Sequence, residues 1–400
     1  MNEKIEFIPN GTVTSPQGFV AGAAYGGLNA HARFKLDVGL LLSETPCTAA
    51  GVFTQNQIKS APVLLCQRHL QESAVRAIIA NSGCANASTG AQGMADAIAM
   101  AEAAATQAGI RTTEVLVAST GVIGRRLPVD LINQALNKIE LTSGGGHLMA
   151  RAIMTTDTVP KEVACRAGGF VIGAVTKGAG MIHPNMATML CFITTDAVAP
   201  ADFLAGALQK AVDKSFNMIS VDGDTSPNDT VLLLANGTSG QKVADGQDRA
   251  VLFQEALETV CIHLAKAIAR DGEGATKLIE VTVSGAKTLP EARDAARTIA
   301  GSSLVKTAVH GADPNWGRII AAAGRSRAQV EEGKIALAMC GLPVMQSGAP
   351  LDFNAKHLSA LLRQNEITIE LNLHLGPETA TAWGCDLSAE YVSINADYTT

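Results

Sequence analysis

The segment Lys177–Cys191 decides the fold of this chain, and it reads Lys-Gly-Ala-Gly-Met-Ile-His-Pro-Asn-Met-Ala-Thr-Met-Leu-Cys. A glycine-rich loop with one proline leads into Ala187-Thr188, and Thr188 opens the apolar run 189–193. A threonine hydroxyl is a poor nucleophile without a base, and a cut directly before the threonine would free its own α-amine to act as that base. On the dipeptide alone the plainer interpretation is favoured, in which Thr188 is a β-branched residue that begins a strand. The rest of the chain reverses that preference.

The bulk composition limits the classes of partner. The 400 residues predict two or three lobes, and 47% hydrophobic against 17% charged residues supply ample core. The net charge of −6 and the lack of a Lys/Arg cluster argue against a nucleic-acid partner. We therefore expect small-molecule partners.

Signals for secretion, membranes and metals are missing from the sequence. The first six residues carry two acids and no apolar segment of a secretory signal, and no run of 18 apolar residues occurs. The eight cysteines include no Cys-x-x-Cys pair, which is typical of reduced thiols in a cytosol. The eight histidines show no metal-ligand spacing. We therefore expect a cytoplasmic protein with neither a membrane partner nor a metal.

Helix-like and strand-like segments alternate without a fixed repeat. The predicted helices are 89–109, 200–218, 247–270 and 291–309, and the predicted strands are 114–118, 169–176, 188–195, 277–283, 366–373 and 391–394. A turn is expected at 119–124, a linker at Ile139–His147, and a softer boundary at 236–248. Such alternation predicts an α/β fold of helices layered on sheets, without deciding between parallel and mixed strand pairing.

The glycine loops do not match a phosphate-binding site. The pattern Gly-x-x-x-x-Gly-Lys-Ser/Thr does not occur, and no Gly-x-Gly-x-x-Gly lies at a strand-to-helix turn. In Gly272-Glu273-Gly274 the carboxylate would repel a phosphate. Nucleotide binding is therefore unsupported.

Acyl transfer fits the polar residues better. Such a site needs a nucleophile, a base, donors for an oxyanion and groups that select the substrate. Thr188 would supply the first two once its amine is free. Thr120-Gly121 suits an oxyanion site, since a glycine lets a backbone N–H approach closely and a hydroxyl donates beside it. Lys177 could bind a substrate carboxylate and Glu273 a substrate ammonium. Plainer interpretations are that Lys177 is a solvated loop lysine, that Glu273 caps a helix, and that Thr120-Gly121 is an ordinary strand end.

Taken together, the motifs resemble the ArgJ family of arginine biosynthesis, the glutamate N-acetyltransferases or ornithine acetyltransferases. The resemblance extends over essentially the whole chain, and the motifs that carry it are Thr14–Phe19, Ala49–Thr54, Asn81–Asn86, Ser119–Gly124, Met154–Thr158, Lys177–Leu190, Asp224–Thr230, Glu273–Lys277, Asp313–Arg318 and Asn395–Thr400. So many motifs in register are far more specific than any one of them. The chain departs from the pattern at Pro227, where Thr or Ser is expected, and we assign no function to that position.

The resemblance implies a self-cleaving enzyme with an ArgJ/DmpA-like fold of the N-terminal-nucleophile type. Cleavage between Ala187 and Thr188 would give an α chain 1–187 and a β chain 188–400. Thr188 would then take an acetyl group from N2-acetyl-L-ornithine and pass it to L-glutamate. Thr120 and Gly121 match the oxyanion positions of the family. Its substrate-binding positions correspond here to Thr155, Lys177, Thr188, Glu273, Asn395 and Thr400.

The resemblance also implies an assembly of two αβ pairs and no resident cofactor. Some members of the family use acetyl-CoA as a second acetyl donor, and no residue pattern in this chain decides whether it does so. Feedback inhibition is likewise open.

Two other functions are compatible with parts of the pattern. A related amidase or aminopeptidase with an N-terminal nucleophile would share the self-cleavage but pass the acyl group to water. A non-catalytic amino-acid-binding protein would use Thr188 only as a structural residue. A transferase needs glutamate for the reaction, whereas the amidase or aminopeptidase does not. Chain cleavage that requires Thr188 would exclude the binding protein.

Overall fold

The computed structural model describes residues 4–28, 35–72, 74–183, 189–246 and 248–397. The strands in chain order are β1 (Glu6–Phe7), β2 (Phe19–Ala24), β3 (Val38–Phe53), β4 (Val75–Cys84), β5 (Val115–Val122), β6 (Lys161–Ala167), β7 (Phe170–Lys177), β8 (Leu190–Thr195), β9 (Ile219–Ser220), β10 (Thr230–Ala235), β11 (Leu278–Ala286), β12 (Ala336–Met339), β13 (Leu342–Gln346), β14 (Ala349–Pro350), β15 (Glu366–Asn372) and β16 (Glu378–Cys385).

Helices alternate with these strands. They are α1 (Ala61–Glu72), α2 (Gly90–Ala108), α3 (Val129–Leu136), α4 (Gly146–Ala152), α5 (Ala201–Lys214), α6 (Asp248–Arg270), α7 (Leu289–Ala300), α8 (Ser303–His310), α9 (Gly317–Gly324), α10 (Ala355–Leu361) and α11 (Ala389–Asp397). Short 3₁₀ turns lie at Thr112–Glu114, Phe216–Met218 and Glu332–Lys334. In the described part of the chain, none of these helices has the length and apolar character needed to cross a bilayer.

The first sheet has the strand order β1-β6-β7-β8-β10-β3-β4-β5, with β2 paired to β3. The long strand β3 holds this sheet together, because residues 38–43 pair with β2 and residues 48–53 pair with β10. Strands β8 and β10 run parallel and are buried along their whole length, which explains their continuous apolar sequence. The sheet contains strands from both sides of the Ala187–Thr188 bond, and β7 pairs with β8 across it.

The second sheet has the order β14-β13-β12-β15-β11-β16-β9. Helices α6 and α7 pack against it, and α6 also contacts β6 and β7 of the first sheet. One continuous apolar core therefore joins the two sheets through α5 and α6. A second core lies on the other face of the first sheet, under α1–α4. The predicted α/β architecture of layered helices and sheets is confirmed, and its strand pairing is mixed.

Most of the predicted elements are present with shifted ends. The predicted helix 89–109 is α2, which ends at Gly109 in the left-handed conformation with φ 65°. The helix predicted over 291–309 is in fact two helices, α7 and α8, because Gly301-Ser302 ends one and begins the next. The turn predicted at 119–124 is wrong at its start, since β5 continues to Val122 and carries Thr120 and Gly121 within the strand.

Two further sequence predictions are wrong. The strand predicted at 391–394 is part of the helix α11, whose first turn is held by a 3.4 Å hydrogen bond from the Tyr391 N–H to Ser388 Oγ. The segment 139–147 is not a free linker. Ala21 and Thr142 exchange two backbone hydrogen bonds of 2.9 Å, which fasten this segment to β2.

Candidate active site

The ends of three strands meet at one edge of the first sheet. Lys177, the last residue of β7, lies opposite Leu190, the first residue of β8, and Leu190 lies opposite Thr230, the first residue of β10. Glycine-rich sequence follows β7 and polar sequence precedes β10, so the apolar ladder stops there and polar groups take its place. This edge is where we expect chemistry.

Six of the predicted site residues line one pocket at this edge. They come from β5, β7, the loops after α4 and α6, and α11, and they are Thr120, Gly121, Thr155, Lys177, Glu273 and Asn395. The predicted nucleophile Thr188, its cleavage partner Ala187 and the predicted substrate-binding Thr400 lie outside the described residues. The structure thus brings together every predicted site residue that it describes.

Thr120 and Gly121 form the part of the pocket proposed to bind an oxyanion. Thr120 is 3% exposed, and Lys177 Nζ lies 3.5 Å from its hydroxyl oxygen. Gly121 has φ 129°, and a Cβ atom there would lie 2.4 Å from the carbonyl carbon of Gly83 on the neighbouring strand. The close approach of β4 and β5 therefore requires glycine at position 121, independently of any role in catalysis.

Lys177 is the buried cation of the pocket, with 2% exposure. Burial lowers the pKa of Lys177, and the negative charge of Asp157 opposes that effect. A carboxylate bound in the pocket would likewise favour the charged ammonium. Lys177 is thus placed to respond to an anionic group of a ligand.

Asp157 organises the wall beside Lys177. Its carboxylate accepts hydrogen bonds from the backbone N–H of Gly178 at 2.7 Å and of Thr155 at 2.9 Å, and it pairs with Lys161 Nζ at 2.7 Å. Burial disfavours the charged Asp157 carboxylate, yet Lys177, Lys161 and these hydrogen bonds hold its pKa below the ordinary value of 3.8. Asp157 therefore fixes two predicted substrate-binding positions, Thr155 and Lys177, relative to each other.

An Asp157→Asn variant is expected to lose about 3 kcal/mol of unfolding free energy at pH 7, because two buried lysines lose a charged partner. Since the folded-state pKa of Asp157 lies below 3.8, its carboxylate contributes stability above about pH 4, and that contribution declines as the pH falls toward the folded-state pKa. Urea unfolding at pH 7 and about pH 3 measures both effects. The difference from wild type should shrink at the lower pH, and a difference that stays constant would contradict this role. Asp352→Asn, at an exposed position, is the control.

Glu273 is the carboxylate of the pocket and is 9% exposed. Its backbone N–H donates to the Ala179 carbonyl at 2.9 Å, and its side chain accepts a 2.8 Å hydrogen bond from Asn395 Nδ2. A Cβ atom at Gly180 would lie 2.4 Å from this carboxylate, so the glycine lets the loop after β7 pass directly over Glu273. The anionic and cationic groups of the site are therefore held by the same loop.

The loop after β7 is fixed by a second carboxylate. Asp222 accepts hydrogen bonds from the backbone N–H of Met181 at 2.5 Å and of Ile182 at 2.9 Å. Met181 has φ 57°, a conformation that costs free energy for a residue with a long side chain. The Asp222 bonds hold this strained residue against the pocket.

Asn228 and Asp229 are site residues that the sequence prediction did not assign. Asn228 lines the pocket and is 5% exposed. Its Nδ2 donates to the carbonyls of Ala85 and Ser119, at 2.6 and 2.8 Å, but among the described residues nothing donates to its buried Oδ1. A buried amide oxygen without a donor costs free energy, so a ligand N–H or O–H at this point would be favoured.

Asp229 contacts Met189, the first described residue after the proposed cleavage site. It is fully buried, and its Oδ1 accepts a 3.1 Å hydrogen bond from the backbone N–H of Met189. Burial raises the pKa of Asp229 well above its ordinary value, against the effects of this hydrogen bond and of Lys177. The signal available in the sequence was the polar run 224–230 immediately before the apolar strand β10.

Comparison with known proteins identifies the family. The model of the ArgJ family matches residues 21–400. An arginine biosynthesis bifunctional protein ArgJ from Dehalococcoides mccartyi is 54% identical over 405 residues, covering 100% of both chains. A protein of the same name from Symbiobacterium thermophilum is 52% identical over 397 residues, covering 98% of this chain and 99% of that relative.

A solved structure agrees with the sequence comparisons. The crystal structure of arginine biosynthesis bifunctional protein ArgJ from Bacillus halodurans matches with a TM-score of 0.51 and 45% identity, and covers 52% of this chain and 98% of that chain. The resemblance predicted from the motifs is confirmed. The chain belongs to the ArgJ family of arginine-biosynthesis enzymes.

Proposed function

We propose that this chain cleaves itself between Ala187 and Thr188, and that the freed Thr188 transfers an acetyl group from N2-acetyl-L-ornithine to L-glutamate. The observation that carries the proposal is one pocket holding a hydroxyl and glycine pair, a buried lysine and a carboxylate at the edge where β8 begins. Membership of the ArgJ family supports the same reaction.

Self-cleavage begins with attack of the Thr188 hydroxyl on the Ala187 carbonyl carbon. An ester bond forms, the peptide C–N bond breaks, and the hydroxyl proton passes to the new α-amine. Water then hydrolyses the ester, which leaves the Ala187 carboxylate and a free Thr188 hydroxyl. The hydrogen bond from Met189 N–H to Asp229 would hold the following residue in place throughout.

Two features support a chain cut at this point. Pairing of β7 with β8, and packing of both against shared cores, would keep the two products in one sheet after cleavage. The Bacillus halodurans chain is about half as long as this one, since 98% of it covers 52% of this chain. Each predicted product is likewise about half of the 400 residues.

Acetyl transfer uses the same nucleophile twice. The Thr188 α-amine takes the hydroxyl proton while the oxygen attacks the acetyl carbonyl of N2-acetyl-L-ornithine, and the proton goes to the departing amine of ornithine. The amine of glutamate then attacks the carbonyl carbon of the acetyl-Thr188 ester. The new amide C–N bond forms as the ester C–O bond breaks, and a proton from the attacking amine passes through the Thr188 α-amine to the leaving oxygen, which restores the hydroxyl. Each step forms an oxyanion, for which the Thr120 hydroxyl and the Gly121 N–H are the proposed donors.

The charges of the pocket match an amino-acid substrate. In this proposal Lys177 binds the α-carboxylate that both substrates share, and Glu273 binds the side-chain ammonium of ornithine; that both residues line one pocket supports it. Thr155, Asn395 and Thr400 complete the predicted binding set. The partners of the enzyme are thus small amino acids, and a shared pocket predicts ping-pong kinetics.

Ornithine release with and without glutamate tests the transferase. Purified protein incubated with N2-acetyl-L-ornithine should release ornithine continuously only when glutamate is present, with parallel lines in double-reciprocal plots. Equal release without glutamate would indicate the related amidase, and no release under either condition would leave only a binding protein. Acetyl-CoA as a second donor, the lack of a resident cofactor and the assembly of two αβ pairs stay predictions.

The C-terminal segment gives a further expected result. Deletion of Asn395–Thr400 should lower kcat/KM at least about tenfold, because it removes the Asn395 amide from Glu273 and the predicted contact of Thr400. The melting temperature should change little, since α11 has no fully buried residue. Full activity of the truncated protein would contradict the prediction. Ser393→Ala, also on α11, is the control.

A further inference from the structure

A second pocket lies between α7, the turn after α9 and the end of the loop that follows β7. Its lining is almost entirely polar and includes three arginines, and its main residues are His183, Asp294, Arg297, Thr298, Arg325 and Arg327. None of these residues lines the pocket that holds Lys177 and Glu273. It is therefore a separate site, with its own chemistry.

The guanidinium groups of this pocket have few partners among the described residues. Arg297 Nη2 lies 3.8 Å from Asp294 Oδ1, which is too long for a hydrogen bond, although its side chain is only 28% exposed. Arg325 Nη2 makes one long bond of 3.4 Å, to the Thr298 carbonyl. Arg327 donates to Asp294 through its backbone N–H at 2.7 Å, and its guanidinium forms no hydrogen bond or ion pair with another described residue. All three arginines line the pocket, and most of their guanidinium N–H groups have no acceptor among the described residues.

Among the residues that line the pocket, positive charge exceeds negative charge. Three guanidinium groups face one carboxylate, that of Asp294. Burial lowers the pKa of Arg297, and the positive charges of Arg293 and Arg327 add to that effect, whereas Asp294 and Asp213 oppose it. Burial and Arg297 also lower the pKa of His183, which favours its neutral form. The lining alone carries three arginines against one aspartate, a formal excess of two positive charges that a bound dianion would offset.

We propose that this pocket binds a phosphoryl group, as inorganic phosphate or as a phosphate monoester. Guanidinium forks match the oxygen geometry of phosphate, and a tetrahedral anion can accept from several forks at once. A phosphate group carries close to two negative charges near pH 7, which equals the excess charge of the lining. His183 Nδ1 is paired with Ser220 Oγ at 3.1 Å, which leaves its other ring nitrogen for the ligand.

The proposed phosphoryl site and the pocket that holds Lys177 and Glu273, here called the acyl pocket, are both lined by residues of the loop that follows β7. Met181 lines the acyl pocket, and His183, two residues further along, lines the phosphoryl site. Asp222 holds the backbone between them. The site is nevertheless independent of the proposed acetyl transfer, because none of its lining residues is assigned a part in that reaction.

Calorimetric titration of the full protein at constant ionic strength tests the proposal. Inorganic phosphate and glycerol 3-phosphate are the two probes, and succinate is the comparison dianion. We expect saturable binding of at least one phosphoryl probe and weaker binding of succinate. Binding of the ester alone would identify a monoester site, and binding of both a site for the phosphoryl group itself. Failure of both probes to bind, or equal binding of succinate, would overturn the assignment.

Two variants and a control locate the binding. Arg297→Ala combined with Arg327→Ala should weaken phosphoryl binding at least about tenfold, by loss of charge-assisted hydrogen bonds. Asp294→Asn should tighten binding, because it removes the one carboxylate of the lining, which repels the ligand, and a misfolded protein could not produce that gain. Arg249→Ala, at an exposed position on α6, should bind as wild type does. Unchanged affinity in the double variant, or no gain from Asp294→Asn, would contradict the proposed site.

Discussion

A Thr188→Ala variant is expected to remain a single chain of 400 residues and to lose acetyl transfer by a factor of at least about 10⁴. Alanine supplies no hydroxyl for attack on the Ala187 carbonyl, so neither the cleavage nor the acetyl ester can form. Gel electrophoresis reports the chain number, and ornithine release reports the transfer.

A Thr188→Ser variant is the matched control. Serine keeps the hydroxyl and the α-amine, so the variant should still split and retain measurable transfer. Both proteins should fold alike, because β8 is hydrogen-bonded from Leu190 onward to β7 and β10. A Thr188→Ala protein that still splits at the same bond would contradict the role of the hydroxyl.

A Thr120→Ala variant should have kcat lowered by about 10²- to 10³-fold, the effect of removing one oxyanion donor. The KM values should change much less, since the hydroxyl acts on charge that develops only in the transition state. Initial rates over both substrate concentrations separate the two parameters.

Two comparisons distinguish the loss of the Thr120 hydroxyl from a loss of structure. Thr120→Ser keeps the hydroxyl beside Lys177 Nζ and should recover most of the rate. The Thr120→Ala protein should still cleave into two chains of the expected masses and melt near the wild-type temperature. If Thr120→Ala leaves the rate unchanged, the Thr120 hydroxyl does not stabilise the oxyanion. Gly121 is a poorer test, because a side chain there collides with β4.

Some of the site residues could be predicted from chemically marked positions, whereas Thr155, Asn395 and Thr400 were implied only by the resemblance to the ArgJ family. Lys177 and Glu273 stand among glycines, and Thr120 and Gly121 follow a short apolar run. Their convergence on one pocket could not be read from composition or spacing, because it depends on strands distant in the chain, such as β5 and β7.

The predictions that failed or were missed depend on longer-range contacts. The four-residue apolar pattern at 391–394 cannot distinguish a strand from a turn of helix, and the cap at Ser388 decides for the helix. Asp157 acts through Gly178 and Lys177, and Asn228 acts through Ala85 and Ser119. No local sequence pattern indicates such partners. Asp157 and Asn228 were therefore seen as members of motifs, but no role could be assigned to them.

The central claim is that the chain frees Thr188 by cutting itself, and the intact mass of the purified protein with sequencing of any new N-terminus tests it most directly. We expect two chains, covering residues 1–187 and 188–400, with the second beginning Thr188-Met189-Leu190. A single uncut chain that is correctly folded would leave Thr188 without its amine base and would contradict the proposed mechanism.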